Sequence, residues 1–206
     1  MTGAEKRMAF PNPMLVVVSG PSGVGKSTIV AELARRHPQV VPIVTATTRE
    51  QRNGEMPGVH YHFLGRDAFG ELRDGGGLLE WAEVHGNLYG TPIDQVRGIL
   101  AAGRDAILTI DPQGARQIRA RVPDALLVFV KPPTMKDLTR RLRKRGSESA
   151  ESLERRRRDA EHWMADAGDY DHVVVNETGH VAEAAERIWD IIQAEARRDP
   201  PRRPQI

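Results

Sequence analysis

Gly20, Pro21, Ser22, Gly23, Val24, Gly25, Lys26 and Ser27 follow the pattern G-x-x-x-x-G-K-[ST]. No other stretch of the chain restricts the fold so strongly. The run before it, Met14 to Val18, is continuously apolar and β-branched, as in a strand buried on both faces of a parallel sheet. The segment after it, Lys26 to Arg36, puts Ile29, Val30 and Leu33 on one helical face and meets a stop at Pro38. Strand, glycine loop and helix in this order open an α/β fold. The glycines let successive N–H groups curl around phosphate oxygens, and the start of the helix adds its positive end. Lys26 is then placed to bridge the β- and γ-phosphates, and Ser27 to ligate Mg²⁺. A glycine-rich turn that binds nothing is the alternative, and the flanking strand and helix argue against it. The motif points to a nucleoside triphosphate and leaves the second substrate open.

The rest of the chain continues the alternation. Strands are expected at Val40 to Ala46, Asp105 to Ile110, Ala125 to Val130 and His172 to Val175. Helices are expected at Pro92 to Ala102, Gln113 to Ala120, Thr134 to Lys144 and Val181 to Arg197. This predicts a three-layer α/β/α domain over residues 13–197, with a mostly parallel central sheet. Two segments break the rhythm. Residues 47–89 carry glycine turns and short aromatic pieces such as Tyr61 to Phe63, and read as an inserted lobe. Residues 138–167 are basic and helical around Gly146 and Ser147, and read as a mobile lid. That leaves residues 13–46, 90–137 and 168–197 as the core. The ends, residues 1–12 and 198–206, are rich in proline and arginine and read as disordered tails.

Composition removes several classes. The 206 residues contain no cysteine, so disulfides, thiolate catalysis and cysteine zinc sites are excluded. No apolar run approaches a membrane span, and Met1 to Phe10 lacks an apolar signal segment, so the cytoplasm is the expected compartment. The net charge is only +2, yet arginines cluster from Arg140 to Arg145 and from Arg155 to Arg158. Solvated helix surface, nucleic acid and a phosphate-rich small ligand compete for these clusters.

The second substrate is suggested by a resemblance. Gly20 to Thr28 resembles the phosphate loop of guanylate kinases, in the P-loop nucleoside monophosphate kinase family. Thr45 to Arg49, with Arg52, Gly54 and Glu55, resembles the segment that holds the GMP phosphate. Leu79 to Ala82 and Gly86 to Thr91 resemble the guanine-binding segment, and Ile110 to Gly114 the next strand end. Arg140 to Gly146 and Glu151 to Arg156 resemble the lid. The matches occur in family order over about residues 14 to 195. The resemblance implies an ATP:GMP phosphotransferase that uses Mg²⁺, with ATP and GMP as partners and neither nucleic acid nor membrane.

It also implies roles. Gly20 to Thr28 and Asn176 belong with ATP, and Ser27 with Mg²⁺. Thr45, Arg49, Arg52, Glu55, Tyr61, Glu80, Tyr89, Thr91 and Asp111 belong with GMP. Lys26, Arg49, Arg141, Arg145 and Arg156 are the catalytic cations, while Arg155, Arg157 and Arg158 have no match and read as solvated surface. Chemistry supports the assignment of Glu80. A carboxylate in an apolar stretch needs a partner, and guanine offers adjacent N1–H and 2-amino donors. Adenine would leave the acid unpaired, and a site built this way rejects the wrong base by ~10⁴.

Two departures from the family pattern stand out. Thr109 occupies a position where many relatives carry an acid, and Val59 and His60 precede Tyr61. His60 and His62 fall on one strand face without a third ligand for a metal. A sugar-phosphate kinase would not need Glu80, Asp111 and Thr91. A phosphopeptide-binding relative typically loses the lysine that is present here as Lys26. Nucleic-acid binding lacks an aromatic stacking platform beside the basic runs.

Overall fold

The structure is a computed structural model, and it describes residues 12–84, 86–144 and 150–206. Most of the expected N-terminal tail, and Arg145, lie outside the described residues. The first strand, β1 (Leu15–Ser19), is buried along its whole length. It pairs in parallel with β7 (Asp105–Thr109) on one side and β8 (Leu126–Lys131) on the other. Adding β2 (Val40–Pro42) and β9 (His172–Val175) gives a five-stranded parallel sheet in the order β2-β7-β1-β8-β9. Strand side chains alternate between faces, so β1 feeds two cores. Val16 and Val18 meet Ile29 and Leu33 of α1 (Lys26–Arg36) and Ile188 and Ile192 of α7 (Val181–Ala196). Leu15 and Val17 meet Ile93 and Val96 of α3 (Ile93–Ala101) and Ala115 and Ile118 of α4 (Pro112–Arg121). This is the three-layer α/β/α arrangement that the alternating pattern predicts.

The expected strand from Val40 to Ala46 divides in two. After β2 the Val44 N–H donates to Gln95 Oε1 at 3.1 Å rather than to a neighbouring strand, and the chain leaves the main sheet. It enters a second sheet as β3 (Ala46–Thr47), with β4 (His62–Phe63), β5 (Leu78–Val84) and β6 (Asn87–Pro92) in the order β4-β3-β6-β5. The inserted lobe also contains a helix that the glycine turns hide in the sequence, α2 (Arg66–Asp74). Its Phe69 packs with Ala46, Leu78 and Leu88.

The segment expected to form a lid is a helix pair, α5 (Met135–Lys144) and α6 (Ala150–Ala165). Leu138 and Leu142 of α5 and Ala160 of α6 are buried in the same core as α1. A Cβ built on Gly23 would lie 2.6 Å from Leu142 Cδ2, so the lid's first helix rests directly on the glycine loop. A short 3-10 turn, Asp166–Asp169, leads from the lid into β9.

The C-terminal segment departs from expectation. Composition predicts disorder for residues 198–206, but Arg202 is only 7% exposed. Its guanidinium reaches Glu195 Oε2 at 2.7 Å, Asp171 Oδ2 at 3.4 Å and the Ala125 carbonyl at 3.1 Å. Ile206 packs against the α3–α4 side of the core. Charge pairing and one apolar anchor, both set by residues distant in sequence, hold a segment whose own composition favours solvent.

Candidate active site

The carboxyl ends of β1 and β7 meet the second sheet along a cleft of about 230 Å³. In open α/β sheets this is where ligands bind. The glycine loop forms one wall. Gly20, Gly23 and Gly25 have φ of 140°, 81° and 102°, which other residues rarely adopt. A Cβ on Gly20 would stand 2.2 Å from the Val130 carbonyl oxygen, so the turn requires glycine for space as well as for angle. Lys26, at the start of α1, places its ammonium on the carbonyls of Gly20 (2.6 Å) and Pro21 (3.2 Å). Ser22, Lys26 and Ser27 line the cleft. Val24, Gly25 and Thr28 border a second, smaller cavity on the other side of the loop, together with Asn176 and Arg141. Buried Asn176 donates from Nδ2 to the Val24 carbonyl at 2.7 Å and so fixes the loop from behind.

Across the cleft the segment between β3 and β4 presents Arg49, Arg52 and Tyr61, and β6 presents Tyr89. Thr47 Oγ1 accepts from the Arg49 N–H at 3.1 Å, which aims the backbone there. The Arg49 guanidinium bonds both oxygens of Glu55, at 2.8 and 3.0 Å, and lies 5.4 Å from the centre of the Tyr61 ring. The Arg52 N–H also donates to Glu55, at 2.9 Å. Burial opposes the charge of Glu55, but these donors outweigh it and hold the carboxyl below its ordinary value. Glu55 therefore orients Arg49, with both oxygens engaged within the lobe. Burial pushes the Tyr61 hydroxyl upward, so it stays protonated as a donor.

The floor is Glu80. It lies in β5 where the register with β6 shifts between Leu78 and Trp81. Such irregularities re-aim side chains, and here the carboxylate is 4% exposed. Fully buried Thr91 donates to Glu80 Oε1 at 2.6 Å. Burial pushes the Glu80 carboxyl up to about 7, against the Thr91 bond and helped by the charge of Asp111. Asp111 caps α4, its Oδ1 accepting from the Gly114 N–H at 3.0 Å. Thr45 lines the cleft beside these carboxylates, whereas Thr91 lies behind Glu80 and acts through it.

The lid contributes unevenly. Arg156 of α6 lines the cleft and donates to Ser22 Oγ at 2.9 Å. Arg141 does not reach the cleft. Its guanidinium bonds the Val24 carbonyl (3.1 Å), the Asn176 carbonyl (2.8 Å) and Thr178 Oγ1 (2.9 Å), on the side of the smaller cavity. Arg155 and Arg158 are exposed. Arg157 pairs along its own helix with Glu154 and Glu161.

The guanylate kinase family model matches residues 12–195. The chain belongs to the guanylate kinase family. A guanylate kinase from Chelativorans sp. (strain BNC1) is 48% identical over 165 residues, covering 80% of this chain and 76% of that protein. One from Desulfitobacterium hafniense (strain Y51) is 44% identical over 182 residues, covering 88% and 90%. The crystal structure of guanylate kinase from Anaplasma phagocytophilum superposes with a TM-score of 0.76 at 31% identity, covering 91% of this chain and 88% of that one.

Sequence reasoning overlooked some lining residues of this guanylate-kinase cleft. Trp163 reaches it from α6. Its spacing of seven from Arg156, two helical turns, is a signal that was available. Ala82, Val84 and Gly90 also line the cleft, and only the pairing of β5 with β6 brings them there.

Proposed function

We infer that this guanylate kinase transfers the γ-phosphoryl group of ATP to GMP, giving ADP and GDP. The observation that carries the reading is Glu80. A carboxylate this deeply buried, with one oxygen held by Thr91, favours a ligand that brings its own pair of N–H donors, and guanine does. Asp111 stands close enough to raise the Glu80 carboxyl and can share the same edge. Arg49, Arg52, Tyr61 and Tyr89 are suited to the GMP phosphate, with Arg49 already aligned by Glu55. The reading extends to dGMP, which carries the same base and phosphate, as a second acceptor.

The donor binds along the glycine loop. Lys26 moves from the loop carbonyls to the β- and γ-phosphates, and Asn176, Arg141 and Thr28 border the cavity on the nucleoside side. Mg²⁺ fits the donor set. It needs one or two hard oxygens and otherwise keeps water and phosphate ligands, and the Ser27 hydroxyl lines the cleft beside Lys26. When bound it supplies charge neutralisation at the β- and γ-phosphates. A GMP phosphate oxygen attacks the γ-phosphorus, the bond from that phosphorus to the β–γ bridging oxygen breaks, and ADP leaves. The attacking oxygen is already ionised at neutral pH, so no general base is required. Arg156 stabilises the equatorial oxygens, and the lid excludes water. Among the described residues no helix is long and apolar enough to cross a membrane. The reading assigns the reaction to the cytoplasm.

The test is ADP release with ATP, Mg²⁺ and each of GMP, AMP, CMP and UMP. Turnover is expected with GMP alone, with kcat lowered roughly 10²- to 10³-fold or more in Lys26→Ala. Folded protein that turns over none of the four would overturn the reading.

A further inference from the structure

Gly114 sits in the first turn of α4 and is buried. Its φ is not in the left-handed region, so the backbone does not need a glycine there. Helices favour alanine over glycine, so the residue works against its own helix. A Cβ built on Gly114 would lie 2.4 Å from Glu80 Oε2 and 3.1 Å from Glu80 Cδ. The missing side chain is thus the space that the carboxylate occupies. The same residue's N–H holds Asp111 Oδ1 at 3.0 Å.

We propose that Gly114 is a positioning residue for guanine selectivity: its bare Cα seats the Glu80 carboxylate, and its N–H orients the neighbouring Asp111. The proposal rests on the GMP reading above. Three contacts fix Glu80 from different sides. Thr91 holds Oε1. Gly114 admits Oε2. Gln117, one turn along α4, grips the β5 backbone next door, donating from Nε2 to the Trp81 carbonyl at 2.6 Å and accepting from the Trp81 N–H at 3.3 Å. With the strand clamped, the carboxylate cannot retreat by moving its backbone, and a methyl group at 114 must push the carboxylate itself. The group displaced is the end of a flexible side chain, so the fold can absorb the change while the recognition geometry cannot.

Gly114→Ala separates this role from a structural one. Thermal melting, and steady-state kinetics with GMP and with IMP, which lacks the 2-amino group, are measured for wild type and variant. The melting temperature is expected to hold or rise. KM for GMP is expected to rise at least tenfold, and the preference for GMP over IMP in kcat/KM to fall at least tenfold. Unchanged GMP KM and GMP-to-IMP preference, within twofold, would overturn the proposal. If the variant melts lower, a double-mutant cycle with Glu80→Gln decides. The two losses in kcat/KM are expected to overlap strongly, and full additivity would overturn the proposal. Wild type that turns over neither nucleotide fails the GMP reading itself, and this proposal falls with it. Wild-type selectivity that survives Gly114→Ala fails this proposal alone.

Discussion

Replacing Glu80 by glutamine should make the protein more stable and a worse enzyme. The carboxyl has an ordinary value of 4.5 and sits at about 7 in the folded protein, chiefly because burial disfavours its charge. A group whose folded pKa is raised binds its proton more tightly when folded. Its stability cost is therefore small below 4.5, grows as pH rises, and is complete above 7. The interval, at about 1.4 kcal/mol per unit, gives a full cost of about 3 kcal/mol. By the same linkage the cost is under about 1 kcal/mol at pH 5 and nearly complete at pH 8. Glu80→Gln removes the charge, while its amide oxygen can still accept from Thr91 Oγ1. Urea unfolding of both proteins at the two pH values, without nucleotide, isolates the effect, because other titrating groups cancel in the difference. The variant is expected to be more stable by about 2–3 kcal/mol at pH 8 and by less than about 1 kcal/mol at pH 5. An equal difference at the two pH values, or a less stable variant at pH 8, would refute the argument that desolvation of this carboxylate governs the site. GMP should run the other way. Guanine's donors require the ionised acid, so wild-type affinity is expected to weaken about tenfold per pH unit below 7. The variant loses that dependence together with most of its affinity.

Two further outcomes follow from the ion pairs. Arg49→Lys replaces a planar guanidinium that bonds both oxygens of Glu55 and stands over Tyr61 with a point charge. Loss of a charge-assisted bond of about 1.5–3 kcal/mol predicts kcat/KM for GMP lower by roughly 10- to 100-fold, read by initial rates, with the melting temperature little changed. Arg202→Ala leaves Glu195 and Asp171 without their shared, nearly buried partner. Asp171 keeps Arg119 and Glu195 keeps His172, so the loss is that of charge-assisted bonds, about 1.5–3 kcal/mol in urea unfolding, while kcat and KM at 25 °C stay unchanged because Glu195, Asp171 and Ala125 do not line the cleft. A stability change under about 1 kcal/mol would show that the tail is only loosely held.

The glycine loop, its strand and its helix could be read directly, because each depends on residues adjacent in the chain. A continuous apolar run, three glycines at fixed spacing and a 3.6-residue periodicity are local signals. The same holds for α7 and for the parallel sheet that the alternation implies. Arg49, Glu80 and Asp111 could be singled out as chemical types in family order. Their arrangement could not. Whether Arg141 faces the cleft or the back of the loop, and why position 114 carries glycine, are decided by partners dozens of residues away, and whether Glu55 meets a substrate or holds Arg49 depends on how a turn folds six residues back on itself. The small sheet is hidden in the sequence because its strands are two to seven residues long and its glycines resemble loops, although pairing, parallel between β3 and β4 and antiparallel elsewhere, stabilises them. The docked C-terminus was misjudged for the same physical reason. Its composition favours solvent, but Arg202 finds two carboxylates and a carbonyl waiting at the end of the main sheet. Sequence alone determined which chemistry the chain carries. The tertiary structure decided which of those groups are buried together, and burial is what pushes the Glu80 carboxyl from its ordinary value up to about 7.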